Sequence, residues 1–143
     1  MKRLLFTLVA CAFCACQTEN VVLDNGLLRL EFDRTTANLI SMTDLETGYE
    51  YLDSSVAPKT LWELVPMEEG YEFALPTEVS VCGWTKHKAV LKWRQAKGEG
   101  VEITATISLD KERPLSYWDI ELEGFEGDKL KEVIYPRINN IKA

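Results

Sequence analysis

Few side chains in this chain could carry chemistry. His87 is the only histidine among 143 residues, and it stands between Lys86 and Lys88. A histidine base works with an orienting partner, and none is visible in the 85–88 stretch. A solvated turn residue is the expected role, with a ligand contact as the functional alternative. Glu68 and Glu69 are adjacent. In extended chain they point to opposite faces, so they are poorly placed to act on one bond. Asp119, Glu121 and Glu123 do share a face, and carboxylates so placed could gather a hard cation. They alternate with Trp118, Ile120 and Leu122, which favours an ordinary wet face opposite a buried one. No histidine pair and no cysteine pair stands at ligand spacing. No catalytic residue, metal or cofactor is therefore expected.

The aromatic residues offer binding rather than catalysis. An aromatic plane that also carries a polar handle packs well on the C–H face of a sugar. Trp93 is in phase with Leu91, and Trp118 with Ile120, so both read as core. Trp62, in Leu61-Trp62-Glu63-Leu64, fits either role. Trp84 falls off the expected core face near His87. It is the leading candidate platform for a glycan, with His87 as a weaker contact. Tyr49, Tyr51 and Tyr71 are lesser candidates of the same kind.

The four cysteines divide by position. Lys2 and Arg3 precede an apolar run over 4–15, and Cys11, Cys14 and Cys16 lie in it or at its end. This has the form of a secretory signal and is too short to span a bilayer. Its removal leaves Cys82 as the only cysteine, with no partner for an intramolecular disulfide. A cysteine after an apolar run and a small residue resembles a bacterial lipoprotein signal. Ala15-Cys16 meets the polar shift at Gln17-Thr18-Glu19-Asn20, which favours Cys16 as the lipidated residue. Leu8-Val9-Ala10 before Cys11 keeps Cys11 as the alternative. The expected division is a signal peptide over 1–15, a polar tether over 16–20 and one domain over 21–143. The expected location is the bacterial cell envelope, lipid-anchored to the membrane, or the periplasm or medium without a lipid. Cys82 is out of phase with Val79 and Val81, and burial beneath a covering element is expected for it.

The formal net charge is −7 and the pI about 4.8. No basic surface is offered to a phosphate backbone, so nucleic acid is disfavoured as a partner. Hydrophobic residues at 46% exceed what a disordered chain carries.

The elements that must position these side chains are strands. Apolar and polar residues alternate with the period of half-buried β-structure. Val21-Val22-Leu23 precedes an Asp24-Asn25-Gly26 turn, and Leu28, Leu30 and Phe32 then share one face. Further strands are expected over 39–43, 49–52, 60–65 (ending at Pro66), 71–75 and 130–135. Val101, Ile103, Ala105, Ile107 and Leu109 mark the cleanest strand. Placing Val79 and Val81 on one face with Ala89, Leu91 and Trp93 pairs Val81 with Leu91. That register leaves an odd-length tip around Thr85-Lys86-His87; a one-residue slip would bring Trp84 onto the face and remove Val81. The fold class is all-β, an antiparallel β-sandwich built as a meander. Its open sheet edges could pair with another chain.

The opening VVLDNGLLRLEFDRTTANLISMTDLETGYEYL resembles the start of a β-supersandwich, the galactose-mutarotase-like domain that precedes the catalytic barrel in large exported glycoside hydrolases. LWEL at 61–64, VLKWR at 90–94, VEITATISLDKERPLSYWDIELEG and LKEVIYPRI agree. The resemblance covers about residues 21–141 and rests on short, mainly structural motifs. It implies part of a supersandwich and a place in a glycan-processing system, here as a non-catalytic domain or as the N-terminal piece of a glycoside hydrolase. The family's catalytic carboxyls come from a region beyond the matching motifs, so no catalytic residue is carried over. Sugar-epimerising relatives use histidines and a carboxylate, which one histidine does not reproduce. The alternative is a structural or interaction lipoprotein that pairs through its sheet edges.

Overall fold

The structure is a computed structural model and describes residues 19–96, 100–125 and 127–142. The proposed lipidation residues Cys16 and Cys11 lie outside them. Among the described residues, ten strands run in order: β1 (Val21–Asp24), β2 (Leu28–Phe32), β3 (Leu39–Asp44), β4 (Tyr49–Glu50), β5 (Glu63–Pro66), β6 (Glu78–Thr85), β7 (Lys88–Arg94), β8 (Glu102–Leu109), β9 (Ser116–Glu123) and β10 (Leu130–Ile134). All the pairings are antiparallel. Two sheets are four-stranded meanders, β1-β2-β3-β4 and β6-β7-β8-β9. The third is the pair β5-β10, which breaks the meander by joining residues far apart in sequence.

Alternation decides which face each strand buries. Along β8, Ile103, Ala105, Ile107 and Leu109 are buried between partly exposed Glu102, Thr104, Thr106 and Ser108. Ala89, Leu91 and Trp93 of β7 join them, and Val21, Leu23, Leu30 and Phe32 face them from the other meander in one core. Fully burying a side chain such as Phe32 or Ile107 is worth about 1.5–3 kcal/mol, so this shared layer holds the two sheets face to face as a sandwich. Trp62 is also core, 7% exposed, which decides its role between the two expected.

The turns share one device. Asp24, Asp33, Asp44, Asp53 and Asp110 each accept a hydrogen bond from the backbone N–H two residues on, at 2.7, 2.8, 2.8, 2.9 and 3.0 Å. An aspartate bonding forward in this way mimics a backbone turn. Five of the 23 acidic residues of the chain thus serve its turns.

Four expectations need correction. Residues 71–75 form no strand: the stretch after Gly70 runs without ladder bonds up to β6. The tip of the β6–β7 hairpin is a two-residue turn, because Thr85 pairs with Lys88. Val81 pairs with Leu91 as expected, but a bulge between Val81 and Gly83 then sets Trp84 opposite the buried Ala89. Cross-strand partners point to the same side, so the bulge puts both Val81 and Trp84 on the core-side face, which neither simple register allows. Cys82 sits in that bulge and is exposed rather than covered.

Candidate functional site

Trp84 and His87 both lie at the free end of the β6–β7 hairpin, one at the end of β6 and the other in the turn. The hairpin end closes the edge of the opposite sheet. The N–H of Asp24 on β1 donates to the carbonyl of Lys86 at 2.6 Å. The indole Nε1–H of Trp84 donates to the carbonyl of Val22 at 2.8 Å. Both bonds satisfy main-chain groups that β1 turns away from β2, so the unpaired edge is covered. Trp84 is therefore fixed by its polar handle while its side chain stays 37% exposed. His87 contributes its backbone: its carbonyl accepts from the N–H of Leu109 at 2.8 Å. The hairpin end is thus tied to β8 as well as to β1.

Five carboxylates are held in hydrogen bonds of the turns and strands. Asp33 is held below the usual aspartate range, chiefly by the Thr35 hydroxyl, and Asp44 chiefly by the Thr47 N–H. Asp53 is lowered chiefly by the Ser55 hydroxyl. Asp110 is lowered furthest, chiefly by the Arg113 guanidinium at 2.8 Å, with the Tyr117 hydroxyl donating to the same oxygen at 3.0 Å. Partial burial raises Glu50, but bonds from the Ser41 and Thr43 hydroxyls and the N–H groups of Met42 and Leu52 outweigh it, and the net shift is downward. A general acid at neutral pH needs the opposite displacement. Glu68 lies in an exposed turn 3.8 Å from Lys129, and Glu69 is exposed beside it. Asp119, Glu121 and Glu123 are on the exposed face of β9. Among the described residues, no group of three or more histidine, cysteine, aspartate or glutamate side chains is placed to hold a metal ion.

The lesser aromatic candidates are distributed over two places. Tyr49 and Tyr51 meet edge to face at 5.1 Å, with the Lys142 ammonium 5.6 Å from the Tyr49 ring centre. Tyr51 lines a cleft of about 370 Å³ with Leu28, Met42, Asp44 and Leu115. Tyr71 packs against Phe73, and Phe73 against Phe125.

A cleft that residue types alone did not single out lies beside β5. One lobe, about 380 Å³, is lined by Thr35, Thr36, Thr60, Trp62, Thr77 and Trp93 among others. A second, about 330 Å³, shares Thr60, Trp62 and Leu75 with the first and adds Glu63, Leu64 and Arg137. Trp62 and Trp93 meet edge to face at 6.1 Å in its wall. These residues come from segments as distant as Thr35 and Arg137, so no local spacing announces them. The one sequence sign was the ambivalence of Trp62. No family model matches the chain, and no curated protein or solved structure matches it.

Proposed function

We propose that the chain is an exported, non-catalytic, carbohydrate-associated β-sandwich domain of a glycan-processing system. Trp84 carries the reading. A ring pinned through Nε1–H to Val22, with open surface left over, is the rigid amphipathic plane on which a sugar stacks. The resemblance of residues 21–141 to the opening of a galactose-mutarotase-like supersandwich supports the same reading, and extends it to the N-terminal piece of a glycoside hydrolase. The low-lying carboxylates favour a supporting role over acid–base work. Cys16, with Cys11 as alternative, would carry the lipid that holds the domain at the envelope membrane, and intact mass of the membrane fraction tests that assignment.

A glycan array probed with the full chain and with Trp84→Ala tests the binding role. Retention of a glycan by the wild type and its loss in the variant is the expected result. No retained glycan, or equal retention by both proteins, refutes it. The sequence of the gene beyond codon 143 tests the hydrolase extension, because an in-frame catalytic barrel is expected.

A second reading, an interaction lipoprotein that pairs through a sheet edge, is favoured by β9. This eight-residue strand bonds only to β8 among the described residues, and its Trp118, Ile120 and Leu122 side chains are only partly buried. Such an edge is a template for strand addition. Light scattering after size exclusion distinguishes the readings: a monomer at high concentration removes self-pairing.

A further inference from the structure

The strands of the sandwich differ in how their outer edges are closed. β1 is covered by the β6–β7 hairpin, through the bonds from Asp24 to Lys86 and from Trp84 to Val22. β6 is interrupted by the bulge between Val81 and Gly83, and β4 has only two residues. β9 has no such protection. Its eight residues pair with β8 in unbroken register from Ser116 to Glu123, and they include no proline and no lysine. Bulges, prolines, lysines and short length are the usual ways of blunting an edge.

The ladder decides which main-chain groups of β9 point outward. The N–H of Leu109 donates to the carbonyl of His87 on the β7 side, at 2.8 Å, and the N–H of Asp110 to the carbonyl of Leu115 on the β9 side, at 2.9 Å. Bonding direction alternates along an antiparallel strand. Thr104, Thr106 and Ser108 therefore bond to Glu121, Asp119 and Tyr117. The N–H and C=O groups of Ser116, Trp118, Ile120 and Leu122 point away from β8. Among the described residues no main-chain hydrogen bond reaches them.

The side chains of β9 say what could pair there. Trp118, Ile120 and Leu122 lie against the core but are only partly buried, so apolar side chains of an added strand would cover them. Asp119, Glu121 and Glu123 are exposed on the opposite face. None of the three makes an ion pair among the described residues. Lys92, in line with Thr104 and Glu121 across the sheet, is taken by Glu102 at 2.6 Å. A second copy of β9 fits badly. The antiparallel registers that overlap most of the strand set Asp119 opposite itself or opposite Glu121, and a parallel in-register pair sets each carboxylate beside its own copy. Like charges so placed are destabilising, whereas opposite charges attract.

We propose that β9 accepts an antiparallel strand from another protein, one in which lysine or arginine alternates with apolar residues. The basic side chains face Asp119, Glu121 and Glu123, and the apolar ones cover Trp118, Ile120 and Leu122. This assignment rests on the sheet-edge reading of the protein and names its partner.

The test uses the full chain and a blocked peptide in which lysine alternates with valine, at low salt, with amide hydrogen exchange as the readout. In the free chain the N–H groups of Trp118, Ile120 and Leu122 should exchange fast, and those of Asp119 and Glu121 slowly. The peptide should protect the fast set. In the antiparallel pair the valine N–H groups face β9 and the lysine N–H groups face away. N-methylation of the valines should therefore abolish protection, and N-methylation of the lysines should leave it. Glu121→Lys changes an exposed side chain and turns one attractive cross-strand pair into a repulsive one. It should weaken binding about two- to thirtyfold. The proposal is overturned if both methylated peptides protect β9 equally, which would mark plain electrostatic adsorption. It is overturned if a threonine–valine peptide binds as well as the lysine–valine one, which would leave the sheet-edge reading standing without its charge preference. A dimer of the chain alone in light scattering, with these amides already protected, overturns the foreign partner and likewise leaves the edge reading in place. If no peptide protects β9 in a monomeric chain, the proposal and the sheet-edge reading fall together.

Discussion

Gly124 gives the sharpest test of the packing. It follows β9 at φ +74°, and a Cβ built there would lie 2.2 Å from the carbonyl oxygen of Gly100 and 3.0 Å from its carbon. Both atoms are backbone, so no side chain can rotate out of the way. Gly48 serves as the matched control. Its φ is +70°, and a Cβ there meets nothing within 4 Å. Alanine at either position takes on the left-handed backbone cost of about 1–2 kcal/mol, partly offset by a stiffer unfolded chain. Only Gly124→Ala must also separate two main-chain segments by about 1 Å, a forced overpacking worth about 1–3 kcal/mol more. Urea unfolding followed by tryptophan fluorescence reads the difference. With a slope of about 1–3 kcal/mol per molar urea, the Gly124→Ala midpoint should fall below the Gly48→Ala midpoint by about 1 M. Coincident midpoints would refute the close approach of Gly124 to Gly100, and with it the packing of this end of the β8–β9 pair.

Two further substitutions probe how the sheets are joined and charged. Asn25 accepts from the N–H groups of Leu27 and Leu28, while its amide donates to the carbonyls of Asp110 at 2.6 Å and Arg113 at 2.8 Å, linking turns of the two meanders. Asn25→Asp keeps the acceptor but sets a carboxylate against two carbonyls, and should cost about 1–3 kcal/mol at neutral pH in thermal or urea unfolding; an unchanged midpoint would remove the link. Glu50→Gln should cost about 1–2 kcal/mol, because the hydroxyls of Ser41 and Thr43 lose a charged acceptor. Folded Glu50 lies below its ordinary value of 4.5, so its contribution is full above that pH and is lost as pH falls through the folded value. The stability gap between wild type and Glu50→Gln should therefore shrink on acidification, and a gap that is constant from neutral pH to pH 3 would contradict the assignment.

Much of the strand content was legible in the sequence because one sheet face is apolar and the other wet. Val101 to Leu109 and Trp118 to Leu122 show it, and both became the strands expected. The turn at Asp24-Asn25-Gly26 was legible as a polar break, and the hydrogen bond from the Gly26 N–H to Asp24 explains why that break reverses the chain. Residues 71–75 misled because aromatic and apolar residues there pack on one another, Tyr71 on Phe73 and Phe73 on Phe125, without a ladder partner. Their composition resembles a strand, while their hydrogen bonding does not.

The sequence by itself determined the all-β class, the pairing of Val81 with Leu91, the wet acidic face of β9 and the presence of a single histidine. These follow from a two-residue period and from counting, which need no knowledge of distant contacts. Tertiary structure alone decided the rest. It set β5 beside β10, tied Trp84 to Val22 across the sandwich, exposed Cys82 in a bulge, and gathered Thr35, Thr60, Trp62 and Arg137 around one cleft. Each of these depends on segments far apart in the chain meeting in space, and local alternation fixes the face of a residue without fixing its neighbour.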